Sequence, residues 1–457
     1  MWFKAFHLLF LAVLSVSVAL PSVGAETTDA WGAWDDSSGS DRDWPEDTEQ
    51  TSPWNVLVFT EALVGGFISD GLFKGNLFAD NAFDEDLSAL ENRWQLNANR
   101  YFGTSFFNVS VELLADGVDD DHFQVLVREL YLDHSLTDSL TVRAGQQILT
   151  WGTGDFVFLN DLFAKDWQAM FSGRDDSYLK APSTSIKLTY YQDMANLDVV
   201  WTPLFTSDNY INGERFGYFS PMSGDITDQQ FTAKEPGTQI ENGEFAFRLF
   251  KTLDGVEYAL YGYRGFYKQP VGFDPVEGRN VFPRLNSVGA SVRGSLGSGI
   301  ANIEVAYWDS RDDMAGDDPL IPNSKWQTLV GYEQELIQKL TLGLQWWLQI
   351  TEGYSVQKKS ALKANSPQPE YLQNKYHHTL TARITYLTMS DKLTWSLFSF
   401  YSPSSDDFYL KPKVSYRRDD YWLFEVGGNL FGGQDNYTQW GQFEENSNLY
   451  TRVRYHF

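Results

Sequence analysis

Apolar and polar residues alternate along much of this chain. Leu340, Leu342, Leu344, Trp346, Leu348 and Ile350 are separated by Thr341, Gly343, Gln345, Trp347 and Gln349. The same period of two runs through Phe107-Val109-Val111-Leu113, Ile186-Leu188-Tyr190 and Leu380-Ala382-Ile384-Tyr386. Successive side chains of a strand point to opposite faces, so each run predicts a strand with one apolar and one polar face. About 18 strands are predicted, near 55–66, 91–102, 104–115, 121–134, 137–149, 182–192, 194–203, 241–251, 255–268, 285–297, 300–309, 325–336, 338–351, 376–389, 391–401, 405–417, 420–431 and 447–457. Most have about 10–14 residues, enough for a tilted strand to cross a bilayer, whereas the strands of a soluble sandwich have about 5–6.

The connections alternate as well. Tight turns follow the even strands, at Gly103, Thr137-Asp138, Asp193-Met194, Asp254-Gly255, Gly297-Ser298-Gly299, Ser390-Asp391 and Asp419-Asp420. Odd strands are mostly followed by long segments: 67–90, 150–181, 204–240, 269–284, 310–324, 352–375 and 432–446; only 116–120 and 402–404 are short there. Short inner turns and long outer loops are the asymmetry of an all-β, antiparallel transmembrane outer-membrane β-barrel. The rhythm predicts 16–18 strands, most simply 18, with both ends of the barrel chain in the periplasm. In the last strand Leu449, Thr451, Val453, Tyr455 and Phe457 share one face, and Asn448, Tyr450, Arg452, Arg454 and His456 the other. This strand resembles the terminal strand of Gram-negative outer-membrane barrels. The resemblance implies that Tyr455 and Phe457 form a C-terminal signal read by the barrel-assembly machinery, and that the surroundings are the outer membrane and its lipopolysaccharide.

Composition narrows the picture. Residues 1–25 carry Lys4, an apolar run from Phe6 to Leu20 and a small-residue ending, Val23-Gly24-Ala25, the pattern of a secretory signal peptide. Residues 26–53 are acidic, with Arg42 the sole basic residue, and read either as a disordered periplasmic leader or as a plug or partner-docking segment. Residues 54–457 then form a single barrel domain. The mean hydropathy of −0.36 argues against helical spans, and aromatics at 16% suit interfacial girdles. There is no cysteine, so disulfides are excluded, and a net charge of −26 excludes nucleic acid as a partner.

The most distinctive stretch is Arg128-Glu129-Leu130-Tyr131-Leu132-Asp133, then Val142-Arg143-Ala144-Gly145-Gln146-Gln147-Ile148-Leu149-Thr150-Trp151-Gly152, with Asp155 and Asn160-Asp161 beyond. Over about residues 121–190 it resembles a proteobacterial family of porin-like outer-membrane proteins catalogued as a domain of unknown function. Gln146 stands where that family usually has Arg. The resemblance implies a barrel and transport, without naming a solute. Segment 150–181 mixes Asp155, Asp161, Lys165, Asp166, Arg174, Asp175 and Asp176 with Phe156, Phe158, Phe163, Trp167 and Phe171, and Asp155, Asp161, Lys165 and Asp166 are its candidate constriction residues. So apolar a loop either folds into the lumen as a constriction or packs on the barrel rim.

Strand parity turns ten basic residues inward: Arg143, Lys187, Arg248, Arg293, Arg383, Lys411, Lys413, Arg417, Arg452 and Arg454. On the lipid face each would cost about 2–4 kcal/mol at mid-bilayer. They form either a mixed-charge network that stiffens the wall or a cationic track for anionic solutes. No catalytic residue, metal site or cofactor is expected: the sequence lacks a nucleophile elbow, a zinc motif and a phosphate loop. The expected function is a channel or transporter for small hydrophilic, anionic solutes or an anionic polymer. The alternative is a non-conducting barrel that docks a periplasmic export or assembly partner.

Overall fold

The computed structural model describes residues 53–68, 83–119, 121–364 and 368–457. The expected signal peptide and nearly all of the acidic segment 26–53 lie outside these residues. Eighteen strands form one closed sheet: β1 (Asn55–Ile68), β2 (Phe83–Phe102), β3 (Ser105–Asp116), β4 (Phe123–Thr137), β5 (Leu140–Ile148), β6 (Pro182–Tyr190), β7 (Asn196–Thr202), β8 (Glu244–Leu253), β9 (Val256–Phe266), β10 (Arg284–Leu296), β11 (Gly299–Ser310), β12 (Lys325–Ile337), β13 (Leu340–Thr351), β14 (Tyr376–Thr388), β15 (Leu393–Ser402), β16 (Asp407–Arg417), β17 (Trp422–Gly433) and β18 (Asn448–His456). Each pairs antiparallel with its sequence neighbours, and β18 closes on β1 from Phe59↔His456 to Phe67↔Asn448. Observed ends fall close to the expected ones, except that β2 starts at Phe83 rather than 91.

The turns between even and odd strands are tight because their residues tolerate the left-handed region. Asp254 (φ 50°) and Gly255 (φ 78°) both have positive φ, as a two-residue hairpin matching strand twist requires. The opposite end carries the long connections. They include helix α1 (Trp167–Ser172), helix α2 (Tyr354–Ala364) and two small hairpins, 218–227 and 272–281.

The burial pattern is inverted relative to a soluble protein. Outward apolar side chains such as Leu113, Val125, Leu260, Val288, Leu344 and Val426 are exposed around the wall. Inward Glu112, Arg248, Glu304, Glu425, Asn429 and Arg452 are buried. So extensive an apolar belt in water would be an aggregation surface; in a bilayer it meets lipid. Among the described residues closure gives each strand a neighbour on both sides, although the outer half of β4, Phe123–Glu129, pairs with β3 alone. The protein is an 18-stranded barrel of the cell outer membrane.

Candidate functional site: a segment docked across the lumen

After Ile148 the chain leaves the wall and runs through the lumen until Pro182. The turn inward is driven by apolar burial. Trp151 packs edge-on against Phe163 with ring centres 5.0 Å apart, and both join Val200, Ala246, Phe250 and Tyr261 from β7, β8 and β9. Gly152 follows with φ +87°, and a β-carbon there would lie 3.0 Å from the Glu304 carboxylate, so the Trp-Gly pair is the hinge of the inward turn.

Glu304 on β11 then receives four donors from the segment: Thr153 N (2.7 Å), Thr153 Oγ1 (3.0 Å), Asn160 N (3.0 Å) and Asn160 Nδ2 (2.9 Å). A buried carboxylate is tolerated only when so satisfied. The main chain of Asp155 donates to Gln345 Oε1 and accepts from Gln345 Nε2 of β13, both at 2.9 Å. The Asp155 carboxylate accepts from Nε and Nη2, one edge of the Arg383 guanidinium on β14.

Farther along, Phe171 sits at the centre of a ring cluster. Phe431 lies 4.8 Å, Phe443 5.0 Å, Tyr409 5.8 Å and Phe216 5.9 Å from it. Its carbonyl, one of the unpaired acceptors at the end of α1, accepts from Asn429 Nδ2 (2.8 Å) and Asn448 Nδ2 (2.9 Å) of the wall. Gly173 ends the helix at φ +86°, face to face with Tyr450.

Arg174-Asp175-Asp176 then meets the wall charges. Arg174 is bidentate to Glu91 of β2. Asp175 lies 3.1 Å from Arg452 and 3.5 Å from Arg454. Asp176 accepts from Lys411 (2.5 Å) and Lys413 (3.1 Å). Burial alone would raise both carboxyl groups, but the surrounding cations outweigh it. Arg452, Arg454 and Lys413 hold Asp175 well below the ordinary carboxylate range, and Lys411, Lys413 and Arg383 lower Asp176 likewise. Tyr178 closes the segment between the guanidinium groups of Arg93 (4.2 Å) and Arg128 (4.3 Å), with its hydroxyl on Gln95. Burial raises its pKa above the usual tyrosine value.

The basic residues expected to face inward fall into two sectors. Arg383, Lys411, Lys413, Arg452 and Arg454, on β14, β16 and β18, meet carboxylates of the segment; Arg452 and Arg454 also pair with Glu425 and Glu61 of the wall. Across the lumen the pairs run wall to wall: Arg143 to Asp133 (2.7 Å), Lys187 to Asp198 (3.3 Å) and Arg248 to Glu257 (2.6 Å). Arg293 stands opposite Glu257 in the β9–β10 register, and Arg417 shares the parity of Lys411, Lys413 and buried Ser415. Of the four polar residues expected in a constriction, Asp155 alone contacts that basic sector. Asp161 accepts from Thr150 (2.8 Å) and Lys165 (2.9 Å), and Asp166 caps α1 through Ala169 N (2.8 Å), so these three hold the segment's own shape. Tyr455 and Phe457 lie on the outer face near the inner turns: Phe457 stacks on Trp94 at 5.8 Å, and Tyr455 packs on Trp422 at 4.8 Å.

Sequence reasoning counted Arg174, Asp175 and Asp176 among the charges of the segment without making them constriction residues, and it missed the second inward segment, in which Arg215 pairs with Glu91 and Asp116. The available signal was an Arg-Asp-Asp triplet inside a loop too apolar for water.

No family model and no curated protein matches the chain, so the resemblance of residues 121–190 rests on its residue pattern. Solved structures do match. OccD3 (OpdP) of Pseudomonas aeruginosa is 11% identical, with 89% of this chain and 91% of that chain covered and a TM-score of 0.51. A loop-deletion mutant of OmpT, an outer membrane protein of Vibrio cholerae, is 11% identical over 89% of this chain and 99% of that one, at a TM-score of 0.42. A mutant of the porin of Rhodopseudomonas blastica is 10% identical over 89% and 100%, at 0.38. The OccD3 likeness supports the outer-membrane barrel fold.

Proposed function

We propose that the protein is a porin-like channel for small hydrophilic solutes, with anionic ones preferred, and that segment 150–181 is its gate. The observation that carries this reading is the pairing of Lys411, Lys413, Arg452 and Arg454 with two adjacent carboxylates of a segment rather than of the wall alone. Wall charges that serve only rigidity can be satisfied by neighbouring strands, as Arg143, Lys187 and Arg248 are. A cationic sector matched to a movable dicarboxylate presents to a solute the same chemistry that the segment already occupies. A polyanion or a small dicarboxylate would compete for it, since charged lumen walls set selectivity. The porin-like sequence pattern of residues 121–190 agrees.

The second reading is a non-conducting barrel that docks a periplasmic partner. It is favoured by the buried aromatic cluster around Phe171, which ties the segment to β16 and β17. Planar-bilayer recording in a salt gradient separates the two. The channel reading expects an anion-selective current whose reversal potential moves toward cation preference when Lys411, Lys413 and Arg452 are replaced with Gln. The shift should be largest at low salt, where the Debye length is about 30 Å at 0.01 M. An unchanged reversal potential in a conducting variant removes the anionic preference, and no current in any form favours the docking barrel.

A further inference from the structure

A second stretch of chain lies across the proposed gate. It belongs to the long connection between β7 and β8 and runs from Asp208 to Phe219, where it enters the 218–227 hairpin. Its first half is joined to the start of α1. Asp208 accepts from Lys165 N and Trp167 Nε1, both at 2.8 Å. Asn209 N donates to Lys165 O (2.8 Å), Asn209 O accepts from Trp167 N (3.1 Å), and the Asn209 side chain donates to Asp166 (2.9 Å). Its second half is joined to the wall and to the last outer loop. Arg215 donates to Ser88 O (3.2 Å), to Glu91 (3.1 Å) and to Asp116. Asn446 Oδ1 accepts from Gly217 N (3.1 Å), and Asn446 Nδ2 donates to Gly217 O (2.7 Å).

This strap lies on the outer side of the gate. β2 and β18 both run from the outer end of the barrel inward. On β2 the strap reaches Ser88 and Glu91, whereas the gate starts at Glu91 and continues to Arg93 and Gln95. Beside β18 the strap takes Asn446, just ahead of the strand, whereas the gate takes Asn448, Arg452 and Arg454. Phe216 of the strap covers Phe171 of the gate, and both rings are buried. The two segments also share their anions: Glu91 and Asp116, which hold Arg215, lie 2.8 Å and 3.5 Å from Arg174. Residues in one ion-pair network are energetically coupled. Both ends of the gate leave the wall at its outer end, at the paired residues Ile148 and Pro182. Its withdrawal is therefore outward, past the strap.

We propose that residues 208–219 are a lock on the gate: segment 150–181 leaves the lumen only after this strap has lifted, so opening is controlled from the outer face. The proposal rests on the reading of segment 150–181 as the gate and adds the order of events. Lifting the strap breaks the Asp208 and Asn209 bonds to α1, uncovers Phe171 and leaves Glu91 and Asp116 to Arg174. The gate keeps its own wall contacts, Asp175 to Arg452 and Asp176 to Lys411, so the strap can lift while the gate stays docked. The reverse order is closed, because α1 lies beneath the strap. Local openings of this kind are ranked by hydrogen exchange.

The test is hydrogen exchange of the full-length detergent-purified barrel, read by mass spectrometry and corrected for intrinsic rates. In the wild type, residues 208–219 should exchange at least as fast as 165–173. Arg215→Gln, and separately Asp208→Asn, should speed both stretches by about tenfold or more. Asp176→Asn should speed 165–173 while 208–219 keeps its wild-type rate and stays the faster of the two. The chain has no cysteine, and a β-carbon at Gly217 would lie 3.8 Å from Asn446 Oδ1, so a Gly217→Cys/Asn446→Cys pair can tie the strap down. Its oxidation should slow 165–173 about tenfold or more and stop the current across a planar bilayer, and reduction should reverse both. Faster exchange in 165–173 than in 208–219, an unchanged 165–173 rate in folded Arg215→Gln and Asp208→Asn barrels, or no slowing in the oxidised pair would overturn the lock. Exchange reads the lock without a current, so a barrel silent in every form refutes the channel reading and leaves the exchange order to decide the lock.

Discussion

Replacing Asp176 with Asn isolates the electrostatic part of segment docking. The side chain is 12% exposed and faces Lys411, itself 3% exposed, and Lys413 at 15%. Asn keeps the shape and one acceptor but leaves two cations without their shared anion. Removing one partner of a buried pair costs about 3–5 kcal/mol. The partial exposure of Lys413 and the remaining amide oxygen place this case at the lower end, about 3 kcal/mol. Each 1.4 kcal/mol is about tenfold in an equilibrium, so the ratio of docked to undocked segment should fall roughly 100-fold. The Glu304 hydrogen bonds and the Asp155–Arg383 pair are untouched, and they anchor the first half of the segment. Hydrogen exchange read by mass spectrometry should therefore accelerate in residues 165–181, by up to about 100-fold where exchange needs undocking, while the ladder amides of β13 and β14 keep their rates. Unchanged exchange in 165–181, in a barrel that stays folded, would refute the claim that these ion pairs hold the segment.

Three further outcomes follow from the same geometry. Phe171→Ala should weaken docking by about 3–5 kcal/mol, the usual loss for a buried phenylalanine, raising the segment's protease sensitivity without changing the barrel's β-type circular dichroism; an equally resistant segment would contradict the cluster's role. Gly173→Ala forces a positive φ on a residue with a β-carbon and drives it into Tyr450, 2.3 Å away, so it should loosen the segment by more than the about 1–2 kcal/mol of the backbone strain alone, measured by the same exchange. For Asp175 and Asp176 the docked pKa lies below the undocked one, so their contribution is fully present above the ordinary carboxylate value of about 3.9 and is lost as pH falls toward the depressed docked values. Exchange in 165–181, corrected for intrinsic rates, should be flat from pH 7 to about 4 and rise only below; a rise centred near pH 6 would point to a different group.

The strands were legible because the membrane enforces period two from both sides. Lipid selects Leu340, Leu342 and Leu344 outward, and the lumen tolerates Thr341 and Gln345 inward. The inward parity of the basic residues could be counted for the same reason. Their partners could not be. Asp176 is 235 residues from Lys411, and nothing in either local pattern marks the other. Asp161 and Lys165 looked like lumen charges, yet an i,i+4 spacing within one segment lets them satisfy each other. Glu304 reads as one inward acid among several, and only the inward turn at Gly152 brings Thr153 and Asn160 onto it. The early start of β2 was hidden because Phe83-Asp84-Glu85-Asp86 carries the acidic composition of a loop.

The proposed gate is a displaceable segment that occupies the cationic sector of the lumen. Single-channel recording of the wild type beside the Asp175→Asn/Asp176→Asn double variant tests it most directly. The prediction is an anion-selective conductance in both, with a larger open fraction in the variant and a wild-type current blocked less readily by an added dicarboxylate. A variant no more open than the wild type, or a barrel silent in both forms at any voltage and salt, would contradict it.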